Sequence, residues 1–206
     1  AAGRAARDPA RPAAVRSVLA LLVAAGGIGA RDQVAAPLAS LDREQRRAVT
    51  RLGIRIGALD LFMPATLKPE AMRWRSALRA AAADAAMPDL PPPSQAVFAS
   101  GEEDAGLIRL GFRAAGPQMI RVDMVERLAR HAFQARADKE GKIVDEALAT
   151  SLALQPQAVA RLMRDLGFRR RDGEQGWVWR GRGRRRMPER QQGSPAFAAL
   201  AELRRG

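Results

Sequence analysis

Gln155, Gln157, Arg161 and Arg164 lie in a stretch, LQPQAVARLMRDL (154–166), whose apolar residues Val159, Leu162, Met163 and Leu166 recur at helical spacing. Carboxamides at the start of such a helix match the donor and acceptor pattern of base edges, and guanidinium groups match phosphate oxygens. Immediately downstream, RRRDGEQGWVWRGRGRRR (169–186) adds Arg169, Arg170, Arg171, Arg180, Arg182 and Arg184 around Trp177 and Trp179. Indole rings can carry an unpaired base while neighbouring arginines hold its phosphates. The chemistry implied is non-covalent recognition of a polyanion.

Positioning those groups requires a helix, a tight turn, a second helix and a hairpin. Leu148, Ala149 and Leu152 give DEALATSLAL a short first helix with an apolar face. Ala153-Leu154-Gln155 then makes the turn, and Pro156 fits the first turn of the second helix. In helix-turn-helix units of this kind the second helix presents its first and outward residues to a nucleic-acid groove. Glycine is common where Ala153 stands, so the turn geometry is an open point. RRR and WVW, joined through Asp172-Gly173-Glu174-Gln175-Gly176, read as a two-stranded wing in which Trp177 and Trp179 share one face. Two uses of that face are open: cover for the back of the second helix, or a stacking surface.

Catalytic constellations are not visible. The chain has no GxxxxGK[ST], no GxGxxG after a strand, no HExxH and no GxSxG, and it has no cysteine. Its single histidine, His131, belongs to a helical pattern, MVERLARHAF, and reads as a surface or partly packed residue. Glu102, Glu103 and Asp104 suit helix-start positions better than acid–base work. The expectation is no catalytic residue, no metal and no cofactor in this chain.

The 206 residues carry a formal charge of +13, with only Lys68, Lys139 and Lys142 as lysines. Coding bias explains part of the arginine preference but not its clustering. Residues 161–190 hold eleven arginines against four carboxylates, and that net +7 is more than half of the total. Clustered guanidiniums gain free energy by displacing counterions from phosphate.

Upstream, residues 1–11 read as a linker from something longer. A helix over 12–25 places Val15, Val18, Leu19 and Leu22 on one face; its short apolar run after Arg4, Arg7 and Arg11 also bears comparison with a secretory signal. A short piece over Gln33–Leu38 and a helix capped by Asp42 follow, then a hairpin in IRIGALDLFMP and a long helix opened by Pro69. MPDLPPPSQ marks the boundary, because consecutive prolines cannot continue a helix. The division is therefore a helical domain with a small β element (12–86), a proline-rich spacer (87–99), a winged-helix-like module (100–186) and a basic tail (187–206). Within the module, Ser100–Glu103 suggests a capping box and FRAAGPQMIRVD a hairpin about Gly116-Pro117, followed by a helix starting near Asp123 and ending at the DKEGK turn. RLGIR (51–55), RLGFR (109–113) and DLGFR (165–169) echo one another as helix-to-strand junctions. The fold class is mainly α with short β-hairpins, and no run is long enough to span a bilayer.

RLGIRIGALDLFMPATLKPEAMRWRSAL (51–78), LIRLGFRAAGPQMIRVDMVERLA (107–129) and the closing LGFRRR with WVWRGR resemble, in that order, the region downstream of the motor in large alphaproteobacterial superfamily 2 (DEAD/DEAH-type) helicases related to the mitochondrial degradasome RNA helicase. The resemblance spans roughly residues 12–186. It implies a C-terminal accessory region in a cytoplasmic, ATP-dependent helicase, with ATP and magnesium bound only by motor domains in cis. None of the family's ATP-binding residues has a counterpart here.

The reading is thus a nucleic-acid-binding accessory region that holds RNA or DNA beside the motor. Arg161, Arg164, Arg169, Arg170 and Arg171 would contact phosphate, Gln155 and Gln157 a groove, and Trp177 or Trp179 a base. Two alternatives stand beside it: a stand-alone winged-helix transcription regulator, which needs a dimer, and a protein-docking module of a helicase complex.

Overall fold

The apolar stripe expected between residues 12 and 25 forms α2 (Ala13–Ala24), whose Val15, Val18, Leu19 and Leu22 are fully buried. Each such side chain contributes about 1.5–3 kcal/mol relative to exposure. The computed structural model describes residues 2–101, 104–137, 146–170 and 176–181. The DKEGK turn, the middle of the 169–186 stretch and the basic tail lie outside the described residues. α1 (Ala2–Arg7) precedes α2 and buries Ala2 and Ala5, so the segment expected as linker is helical and packed.

β1 (Ile28–Ala30), α3 (Ala35–Ala39) and α4 (Arg43–Arg51) follow. α4 starts where Asp42 accepts a hydrogen bond from Gln45 N–H at 2.8 Å, while the Gln45 side chain accepts from Asp42 N–H, a reciprocal capping box. β2 (Arg55–Ile56) and β3 (Asp60–Phe62) form the expected hairpin, and β1, unexpected from sequence, adds to its other edge in the order β1-β3-β2. A 3-10 turn (Pro64–Leu67) leads into α5 (Pro69–Ala82).

β4 (Val97–Ala99) lies within the segment expected as spacer and pairs with the hairpin of β5 (Phe112–Ala115) and β6 (Gln118–Arg121) in the order β4-β6-β5. α6 (Asp104–Leu110) is capped by Asp104, which accepts from Gly101 N–H and the Ser100 hydroxyl. Those two bonds hold the Asp104 carboxyl below its ordinary pKa. Glu103, the expected partner in that cap, lies outside the described residues. α7 (Val122–Ala137), α8 (Glu146–Ser151), α9 (Pro156–Asp165) and the pair β7 (Phe168–Arg170) with β8 (Trp177–Trp179) complete the chain. The fold is mainly α with short antiparallel sheets. Among the described residues, no helix is long and apolar enough to cross a membrane.

The three echoed motifs are one local device. Gly53, Gly111 and Gly167 follow α4, α6 and α9 with φ of 80°, 106° and 95°, the left-handed cap that ends a helix. Each is followed by a buried apolar residue, Ile54, Phe112 or Phe168, which starts the extended run.

The parts before and after the prolines share their interior. Phe62 and Leu67 pack with Val122, Met72 packs with Leu107, Leu110, Phe112 and Met119, and Ala58 and Leu59 pack against the core of α7 and α9. Asp60 and Arg113 meet at 2.7 Å, and Glu126 accepts from Ala58 N–H at 2.7 Å. Burial works against the Arg113 charge, yet the bonded Asp60 carboxylate, with Asp165 and Asp32, lifts its pKa above the ordinary value.

Candidate nucleic-acid interface

The turn between α8 and α9 forms around an alanine in the conformation usually given to glycine. Ala153 has φ 53°, its N–H donates to the Thr150 carbonyl, and Leu154 N–H donates to the Ala149 carbonyl at 3.0 Å. Leu154 points inward, and Ala149 and Leu152 pack on the same core; Leu148, expected beside them, has no described side chain. Gln118 of β6, 6% exposed, satisfies what remains: its amide donates to the Ala153 carbonyl at 3.0 Å and accepts from Gln155 N–H at 2.8 Å. Pro156 occupies the first turn of α9, as expected.

α9 has two faces. Ala158, Val159, Leu162 and Met163 are buried, while Gln157, Arg161 and Arg164, spaced i, i+4, i+7, are exposed. Gln155 precedes them, exposed, and its side chain makes no capping bond. Arg161 meets Asp165 at 3.3 Å, a solvent-exposed i, i+4 pair that leaves its guanidinium accessible. Arg164 donates to the Ala160 carbonyl, and Arg169 donates to the Arg164 and Phe168 carbonyls at 3.2 and 3.0 Å. The guanidinium of Arg169 therefore lies across the C-terminal end of α9. The four side chains form one band from the first turn of the helix into β7.

In the β7–β8 pair, Phe168 faces Trp179, Arg169 faces Val178 and Arg170 faces Trp177. Directly opposed residues share a face, so Phe168, Trp177 and Trp179 lie on the inner side and Arg169 on the outer. Phe168 is buried against Phe133 with ring centroids 5.4 Å apart. Trp177 is half-buried against the same core. Trp179, 37% exposed, carries the Arg136 guanidinium 3.7 Å from its ring centroid. The two indoles thus have different surroundings: one packs on the core, and one is half of a cation–π pair at the surface. Arg170 and Arg180 are exposed, and Arg180 N–H closes the ladder on the Gly167 carbonyl. Arg171, Arg182 and Arg184 lie outside the described residues.

Sequence reasoning missed Gln118 and Arg136. A glutamine in a strand and an arginine in the last turn of a helix carry no local sign of those contacts. His131 is half-buried on α7. No protein-family model, no curated protein and no solved structure matches this chain.

Proposed function

We propose that residues 100–186 act as a winged-helix-like nucleic-acid-binding module that holds an RNA or DNA strand beside a helicase motor. One observation carries the reading: Gln157, Arg161 and Arg164 form a single exposed stripe on α9 that continues into Arg169, while the opposite face of the helix is buried. Four polar or cationic groups in a row suit a phosphate backbone with base edges beside it. Trp179, exposed and already paired with a guanidinium, adds a flat surface at one end of the wing. The ordered sequence resemblance across residues 12–186 supports the placement beside an ATP-dependent motor, whose ATP and magnesium would bind outside this chain. A tethered second grip of this kind raises the local concentration of strand at the motor.

Fluorescence anisotropy with labelled single-stranded RNA, single-stranded DNA and duplex DNA over a salt series tests the proposal. Arg161→Gln, Arg164→Gln and Arg169→Gln together are expected to flatten the salt dependence by about 2 units of log K per log salt on a single strand. No binding by the wild-type chain even at low salt would remove it.

A docking role draws support from α5, where Trp74 and Leu78, one turn apart, are 70% and 67% exposed. Co-purification of a protein partner that survives nuclease treatment and is lost in Trp74→Ser with Leu78→Ser would favour docking.

A further inference from the structure

α4 carries a second concentration of exposed positive charge. Arg43, Arg47 and Arg51 are exposed and recur every four residues, about 6 Å apart along the axis. Val49, on the other side of the helix, is fully buried. Arg46 is used structurally, donating to the Leu38 carbonyl at 2.7 Å and the Leu41 carbonyl at 3.1 Å. Together with Thr50, the four arginines line a shallow groove of about 460 Å³.

Folding gains little from Arg43 and Arg47, while Arg51, in the last turn, stands at the favourable end of the helix dipole. Arg43–Arg47 and Arg47–Arg51 are like charges one turn apart, and Arg43 stands at the positive end of the helix dipole. Asp42 is engaged by the Gln45 N–H of the cap. Among the described residues no ion pair joins Arg43, Arg47 or Arg51 to a carboxylate. A ligand that supplies evenly spaced negative charge would remove the repulsion.

We infer that the α4 groove is a second phosphate-backbone site, which takes an RNA or DNA strand through Arg43, Arg47 and Arg51. The inference shares its ligand class with the proposed function but rests on different residues. Three permanently charged, planar groups in a row that climbs about 12 Å along the helix and winds slowly around it match successive phosphates of a strand crossing the helix obliquely. The arginines line the groove with their aliphatic stems and carry their charge at its rim, and no aromatic or branched aliphatic side chain is present to anchor a protein partner. With the α9–β7 band, it would make the chain a two-point binder.

The test compares Arg43→Gln/Arg47→Gln/Arg51→Gln and Arg161→Gln/Arg164→Gln/Arg169→Gln in the full chain, with homopolymeric single-stranded RNA and DNA of equal length. Loss of about 2 units of salt slope in the α4 variant, with the slope retained in Arg43→Lys/Arg47→Lys/Arg51→Lys, is the expected result. An unchanged slope in the α4 variant overturns the site and leaves the α9 reading standing. Loss in the α4 variant with none in the α9 variant keeps the site and removes the α9 reading. Polyglutamate displacing the strand at equal charge would reassign the groove to acidic protein and overturn the inference. Phenylglyoxal modification of the wild-type chain guards against a variant that fails to fold: bound strand should protect Arg43, Arg47 and Arg51, and equal labelling with and without strand overturns the site. The RNA and DNA arms show which source of phosphate is preferred.

Discussion

Gln118 holds Ala153 from the far side of the turn: its amide donates to the Ala153 carbonyl at 3.0 Å while its oxygen accepts the next free N–H, that of Gln155, at 2.8 Å. One buried side chain on β6 thereby ties together the two sides of the turn that leads into α9. Gln118→Leu would leave a backbone carbonyl and an N–H unsatisfied near the core. The expected loss is about 1–3 kcal/mol by urea denaturation. Affinity for a single strand should fall with it, because Gln157 and Arg161 are aimed by that turn.

Ala153 occupies left-handed backbone at φ 53°, where a Cβ is a burden. Ala153→Gly should hold or raise stability by up to about 1 kcal/mol, relief of strain outweighing the more flexible unfolded chain. Ala153→Val, branched at Cβ, should lower it by at least about 1 kcal/mol. Thermal unfolding of the two variants side by side reads the difference, and equal midpoints would contradict the turn geometry.

Trp177 and Trp179 should separate by assay. Trp177→Ala removes a half-buried ring from the core of α7 and α9 and is expected to act on stability, by about 2 kcal/mol or more. Trp179→Ala should leave stability within about 1 kcal/mol, the scale of an exposed cation–π pair, and weaken single-strand binding by about 1–3 kcal/mol. Equal losses of affinity at matched stability would place the stacking surface elsewhere.

Asp60 and Arg113 join the first sheet to the second through a largely buried ion pair. Asp60→Ala alone would strand the guanidinium and should cost about 3–5 kcal/mol. Asp60→Leu with Arg113→Leu should recover much of that, since apolar packing replaces a desolvated pair at little net loss. A double variant as unstable as the single one would show that the pair is needed for more than charge balance.

Much of the fold is local and was legible for that reason. Asp42 with Gln45 starts α4, prolines 69 and 156 start α5 and α9, and glycines 53, 111 and 167 end helices by adopting backbone that other residues resist. The outward stripe of α9 followed from a period of 3.6 applied to Val159, Leu162 and Met163. The three-residue strands β1 and β4 were not visible, because they are held by partners distant in the chain, Phe62 opposite Ile28 and Ile120 opposite Val97. α1 was hidden by its composition, as Ala2 and Ala5 acquire a buried face only when α2 is beside them.

The sequence by itself determined which residues of α9 face outward and that two tryptophans share a side of β8, since both follow from backbone periodicity. Only the tertiary structure decided that Trp177 packs inward while Trp179 lies under Arg136, that Gln118 anchors the turn between α8 and α9, and that the segments flanking the prolines share a core. The physical reason is that periodicity sets the direction of a side chain, whereas its burial and its partner depend on which distant surface arrives to meet it.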